Sequence, residues 1–290
     1  MNVLIDLIKL SRPHQWSKNI FVFAGIIFGH AWNDPDMLLR VFAAAAGFSL
    51  LSSSIYVLND IIDREQDALH PKKKHRPLAA GRLTTITASI WGISIALIGL
   101  GIGYWVSLEA FYLLITYSII NIAYTFYFKH QVIIDVFFIS AGFMLRILVG
   151  TIGIDIPPSQ WLVLCGLMVT LFLGFTKRRA EILAMGENKA MTRNVLEHYS
   201  PILLDKMIGI TASGVIMSYA LYTMNENTIK IHGTENLIYT IPFVMYGIFR
   251  YIFLLHHQSA GTDTANDLKQ DIPTIIAVFG WVVSTIWIIG

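Results

Sequence analysis

Six stretches of the chain run for about the length of a bilayer crossing without a single Asp, Glu, Lys or Arg: residues 41–59, 84–108, 110–128, 156–176, 207–225 and 272–290. Crossing about 30 Å of hydrocarbon at 1.5 Å per helical residue takes about 20 residues. Three further stretches come close: residues 20–33 are short but apolar, 136–154 are interrupted only by Arg146, and 236–255 only by Arg250. The runs are continuously apolar and lack the period-two alternation of barrel strands. They predict an all-α integral membrane protein of about nine transmembrane helices, with residues 1–290 forming a single domain. Composition agrees, since 14% charged residues and a mean hydropathy of +0.60 exclude a soluble domain, which carries about 25% charge. The net charge of +2 argues against a nucleic-acid partner, and the single cysteine, Cys165, excludes an internal disulfide. Lys9, Arg12, Pro13 and Lys18 break any signal-peptide core in the first 19 residues. Leu4, Leu7 and Ile8 fall at helical spacing there, so residues 1–19 are expected as an N-terminal helix lying along the membrane interface.

Nine crossings place the connections alternately on two sides. Of the 21 basic residues, all but Arg40, Arg146 and Lys230 fall on the side of the N-terminus. The positive-inside rule makes that face cytoplasmic, so the protein is expected in the inner, cytoplasmic membrane with its N-terminus and polar loops inside and its C-terminus outside.

Acidic residues share those loops. Asn59, Asp60, Asp63 and Asp67 begin at the cytoplasmic end of the second run, and positions 60, 63 and 67 put three carboxylates on one face of a helix. Like charges so placed repel, and a cation relieves them. A few carboxylates together with substrate phosphates is how Mg²⁺ is usually held, which makes Asn59, Asp60, Asp63 and Asp67 a candidate Mg²⁺ site. A dense cationic segment follows, with Lys72, Lys73, Lys74, His75 and Arg76 preceding Ala80 and Gly81. Metal plus cations at a membrane surface suits a diphosphate ester, with Lys73 and Arg76 on its phosphates.

The string NDIIDREQD followed by HRPLAAG resembles the first aspartate-rich signature of the UbiA superfamily of intramembrane prenyltransferases, N-D-x-x-D-x-x-x-D and then R-P-L/I-x-x-G. Within it, RPHQWSKN at 12–19, YTFYFKH at 124–130, DVFFISAGFMLR at 135–146 and FTKRRAEI at 175–182 resemble the branch typified by decaprenyl-phosphate phosphoribosyltransferase. The likeness implies a nine-helix bundle with a lateral opening for a lipid chain, and it is strongest over residues 12–182. It is weaker afterwards, where Gly261, Asp263, Asp267 and Asp271 match an acidic loop before the last helix. On that likeness Asp60, Asp63 and Asp67 are the catalytic residues.

Family likeness leaves two chemistries that share the departure of Mg²⁺-bound diphosphate. In aromatic prenylation the lipid is the donor. In phosphoribosyl transfer it is the acceptor, and a polyprenyl-phosphate oxygen attacks C1 of phosphoribosyl diphosphate. The aromatic branch carries a second acidic cluster in the loop after the sixth span. Here that place holds Lys177, Arg178, Arg179, Ala180 and Glu181, which is cationic. The swap fits substrates with more anionic groups, so phosphoribosyl transfer, for cell-envelope lipid-linked sugar assembly, is expected over prenylation for quinone or haem-like products. The partners are then a polyprenyl lipid and a phosphorylated sugar donor, with Tyr124, Lys129, Lys177, Arg178 and Glu181 joining Asn59, Lys73 and Arg76 in substrate binding. A transporter is disfavoured because the polar residues gather on one face and no paired, Gly/Pro-broken repeats are visible. Asp135 and Arg146, eleven residues apart on one helix, cannot pair with each other, so Arg146 needs a partner on another helix or on substrate. His256 and His257 point to different helix faces and are read as interfacial side chains, not metal ligands.

Overall fold

A computed structural model describes residues 3–70, 73–184, 196, 198–257 and 271–290. Among these there is no strand, and eight helices are long and apolar enough to cross a membrane. In chain order the helices are α1 (Val3–Ser11), α2 (Ala24–Phe28), α3 (Pro35–Ile62), α4 (Arg64–Leu69), α5 (Thr85–Val106), α6 (Leu108–Phe126), α7 (Ile134–Val149), α8 (Gln160–Ala184), α9 (Pro201–Met224), α10 (Glu226–His232), α11 (Ile241–His257) and α12 (Ile272–Ile289). The side chains of Asp34, Thr84, Ser107, Ser200 and Asp271 accept backbone N–H groups at the starts of α3, α5, α6, α9 and α12. These caps satisfy donors that no helical carbonyl can reach.

The stretch expected as the first crossing differs from the rest. Pro13–Phe23 is a 3-10 helix that passes directly into the five-residue α2. At about 2.0 Å per residue for the 3-10 part and 1.5 Å for α2, the pair climbs about 30 Å, a bilayer's hydrocarbon thickness in fewer residues than an α-helix needs. The expected interfacial helix is also shorter than residues 1–19. It ends at Ser11, because Arg12 adopts a left-handed backbone at φ 50° and Pro13 offers no N–H to continue it. Val3, Leu4, Ile5 and Ile8 on α1 are exposed, whereas Asp6 and Leu10 are buried. An apolar face turned outward from a helix whose other face is anchored suits an interfacial position.

The described chain forms two compact units, Met1–Phe128 with Leu145–Pro158, and Lys129–Met144 with Ser159–Gly290. In the first, α5 buries Ala88, Gly92, Ile95, Gly99 and Gly103 and exposes Ile86, Ile90, Ile93 and Leu97. With lipid on the outside, large apolar side chains gain nothing from facing inward, and small residues let helices approach closely. Gly47 of α3 and Gly99 of α5 meet in this way, a Cβ on Gly99 falling 2.8 Å from the Gly47 carbonyl oxygen. The 3-10 helix lies along α3, where Trp16 Nε1 donates to Ser53 Oγ at 3.0 Å and Asn19 Nδ2 to Ser49 Oγ at 2.7 Å. It crosses the end of α7 backbone to backbone, since a Cβ on Gly150 would sit 1.6 Å from the Val22 carbonyl oxygen. Arg146 finds its partners on other elements, Asn19 Oδ1 at 2.8 Å and Tyr117 of α6 at 3.4 Å, with its guanidinium over the Phe48 and Tyr117 rings.

In the second unit, Phe172 and Phe175 of α8, Leu204 and Ile208 of α9 and Tyr251 of α11 share a core with Val136. Arg250 makes two hydrogen bonds to Asp271, at 3.0 and 2.7 Å, joining α11 to the cap of α12. Those bonds hold the Asp271 carboxyl below its usual range. Asp263 and Asp267 lie outside the described residues.

Candidate active site

The acidic motif sits where α3 gives way to α4. Asp60 is buried on the last turn of α3, Asp63 is the residue between the helices, and Asp67 is buried on α4. The three carboxylates therefore do not follow one uninterrupted helix, as their spacing alone suggested. Asp63 has φ −87° and ψ 6°, which closes α3 and starts the next turn. Asn59 is held from the neighbouring helix, where Thr125 of α6 donates to its Oδ1 at 2.8 Å. Tyr124 precedes that threonine and is half-buried.

Cations of the same unit converge on the pair of buried carboxylates. Arg76 Nη1 donates to Asp60 Oδ1 at 3.1 Å and also to Asp67 Oδ2. Lys73 Nζ lies 3.6 Å from Asp67 Oδ1. Arg12, from the turn between α1 and the 3-10 helix, donates through Nη2 to Asp60 Oδ1, and its guanidinium stacks over the Tyr56 ring at 5.1 Å. Lys73 and Arg76, predicted as phosphate ligands, thus hold carboxylates of the motif. Arg12 was not among the residues expected at this site. Its signal was the Arg-Pro dipeptide, which restricts the backbone before proline and ends α1 where the side chain can reach α3. The cationic segment is itself anchored, since Arg82 Nε donates to Asp6 Oδ1 and Oδ2 of α1 at 3.1 and 3.2 Å.

Among the described residues no three His, Cys, Asp or Glu side chains meet as a preformed metal cage. Mg²⁺ does not require one, because it is commonly bound through one or two carboxylates plus substrate phosphates and water. Asp60 and Asp67 are hard oxygen donors brought onto a single nitrogen, and that geometry fits such a cation.

In the second unit the basic residues after the sixth expected run are not in a loop. They occupy the last turns of α8, which continues to Ala184. Lys177 is exposed there and Glu181 half-buried. Arg178 departs from the sequence expectation. Only 1% exposed, it donates through Nε to Asp135 Oδ2 at 2.7 Å and through Nη1 to Glu181, so its charge is spent inside the protein and not offered to a phosphate. The physical reason is Asp135 itself: a fully buried carboxylate at the start of α7 needs a cation and hydrogen bonds of its own. Tyr199 completes the set, donating to Asp135 Oδ1 at 2.8 Å while its hydroxyl accepts from the Ile133 amide. Burial, reinforced by the bond to Asp135, pushes the Tyr199 phenol above its ordinary range and keeps it a donor. Arg179 is likewise paired, with Asp205 and the Leu255 carbonyl. Lys129 stands in a 3-10 turn after α6 and is half-buried. His256 and His257 are exposed, and each ring bonds a carbonyl one turn back on α11.

The model of the UbiA prenyltransferase family matches residues 19–183. The decaprenyl-phosphate phosphoribosyltransferase of Mycolicibacterium smegmatis is 33% identical over 95% of this chain and 90% of its own length. That of Corynebacterium glutamicum is 34% identical over 93% of this chain and 80% of its own length. Among solved structures, a UbiA homolog from Archaeoglobus fulgidus bound to GPP and Mg²⁺ superposes with a TM-score of 0.72 at 14% identity, covering 98% of this chain and 99% of that one, which is a likeness of fold.

Proposed function

Because the chain belongs to the UbiA prenyltransferase family, we propose that it works as a single membrane domain that transfers phosphoribose from phosphoribosyl diphosphate to a polyprenyl phosphate, releasing diphosphate. The observation that carries this reading is the extent of the likeness to the two phosphoribosyltransferases, which runs over nearly the whole chain at one residue in three. The basic end of α8 supports it, since Lys177 suits a phosphate and the nearby carboxylates Asp135 and Glu181 are both held by Arg178.

Asp60, Asp63 and Asp67, with Asn59, would hold Mg²⁺ as the catalytic residues. When bound there it supplies charge neutralisation for the departing diphosphate. Lys73 and Arg76 take up phosphate charge beside it. Lys129, Lys177 and Tyr124 are assigned to the remaining phosphates on their charge and hydrogen-bonding capacity. Arg178 is withdrawn from the phosphate set, because it keeps the buried Asp135 and the half-buried Glu181 in place; Glu181 stays as the acidic residue of the α8 end. No general base is needed, because a lipid phosphate is already anionic near neutral pH. The distribution of basic residues supports a position for the acidic motif and the cationic segment on the cytoplasmic side of the inner membrane.

The test is substrate exchange. Membranes containing the protein, given Mg²⁺, ribose-labelled phosphoribosyl diphosphate and a long polyprenyl phosphate, should carry label into an acid-labile lipid. The same membranes given a prenyl diphosphate and an aromatic acid should yield no prenylated ring. A prenylated ring without labelled lipid would replace this function with aromatic prenylation.

A further inference from the structure

The geometry points to Arg76 as an exchangeable counter-ion: it holds Asp60 and Asp67 together, and it gives them up to a divalent cation when a diphosphate draws its guanidinium away. Metal and diphosphate then enter as one event. This rests on the function above only in taking a diphosphate as the ligand.

Two guanidiniums reach Asp60, and their surroundings assign them different tasks. Arg12 is fixed. Its backbone sits at φ 50° ahead of Pro13, its guanidinium lies on the Tyr56 ring, and its only carboxylate partner among the described residues is Asp60, through Oδ1. Arg76, unlike Arg12, places one nitrogen on both carboxylates. It is 29% exposed, while Asp60 and Asp67 beneath it are each 3% exposed, so it forms the outer layer. Arg12 holds Asp60 through Oδ1, and the other oxygen, Oδ2, accepts no hydrogen bond from a described residue.

Charge supplies the coupling. Three cations, Arg12, Lys73 and Arg76, already face these two carboxylates. A divalent cation arriving alone meets buried carboxylates that these cations already neutralise. Arriving with a diphosphate it meets the opposite balance, because the anion offsets the metal and offers Arg76 the planar, paired oxygens that a guanidinium binds best.

The experiment measures Mn²⁺ retained across a dialysis membrane by the full-length protein in detergent, with and without inorganic diphosphate, corrected for the Mn²⁺–diphosphate complex in the buffer. For the unaltered protein, diphosphate should tighten Mn²⁺ binding by about ten- to a hundredfold, the scale of one or two charge-assisted hydrogen bonds exchanged. Arg76→Gln should bind Mn²⁺ alone about tenfold or more tightly than the unaltered protein and lose most of the enhancement. Arg76→Lys, which keeps the charge but cannot span both carboxylates in the same way, should shift in the same direction by less, and it decides the matter if the glutamine variant does not fold. Lys74→Ala reports the general effect of removing a nearby exposed charge, about twofold or less after screening. Tightening in the Arg76 variants no greater than in Lys74→Ala, or equal Mn²⁺ affinity with and without diphosphate in the unaltered protein, would overturn the exchange. No lipid or ribose enters this assay, so a failure of phosphoribose transfer and a failure of the exchange are read independently.

Discussion

Replacing Arg178 by Met keeps much of its buried stem but leaves Asp135 as a fully buried carboxylate with Tyr199 as its remaining side-chain donor in this network. Removing one member of a buried ion pair costs about 3–5 kcal/mol, because the other charge stays desolvated. At about 2–4 °C per kcal/mol for a chain of this order of size, the melting temperature should fall by roughly 6–20 °C. Thermal unfolding of purified protein in detergent reads this directly. The double variant Asp135→Asn with Arg178→Met should recover most of the loss, since neither charge then remains. KM for phosphoribosyl diphosphate should change little in whatever fraction remains folded. An unaltered melting temperature with a large rise in that KM would show that Arg178 serves the substrate, and the buried-pair reasoning would be wrong.

Lys177→Ala is expected to behave in the opposite way, with an unchanged melting temperature and a ten- to hundredfold fall in kcat/KM for phosphoribosyl diphosphate, the worth of one charge-assisted hydrogen bond. Gly150→Ala should lose folded protein, because its new methyl group falls on the Val22 backbone, whereas Gly247→Ala on α11 meets nothing within 4 Å and should be silent. Detergent-stable yield of the two separates them. Asp271 has a lowered folded pKa, so its contribution is fully present above its unfolded value of about 3.9 and is lost only as pH falls through the lower folded value. The melting-temperature gap between the unaltered protein and Asp271→Asn should therefore be flat from about pH 5 to 8 and narrow below about pH 4; a gap that widens on acidification would contradict the sign.

Much of this was written into local pattern. Runs without charge mark α5, α6 and α12 almost to their ends, with polar caps at or beside their starts, and they mark the inner two thirds of α3, whose first turns carry Asp36 and Arg40. The acidic motif and Arg76 were also legible, because the residues that act together there lie within a few turns of one another. What escaped detection is non-local or breaks the helical period. Asp135 and Arg178 are 43 residues apart, so nothing in the neighbourhood of Arg178 reveals that its charge is already committed. Arg12 reaches Asp60 across 48 residues for the same reason. Helical spacing suggested one continuous face for Asp60, Asp63 and Asp67, but spacing does not announce a helix that closes at Asp63. The 3-10 helix was likewise hidden, since apolar content is the same whichever helix carries it.

That helix has a further consequence when set against its neighbour. Three residues of 3-10 helix climb about 6 Å, and four residues of α-helix climb the same distance. Trp16 and Asn19 are three apart, while their partners Ser53 and Ser49 are four apart in the reverse direction. The two ladders are rulers of different graduation whose marks coincide, which is why two polar pairs can repeat along one groove. A single residue inserted between Pro13 and Phe23 would turn the later rungs by about a third of a revolution and break the match. Length here is thus quantised in steps of three on one strand of the ladder and about four on the other.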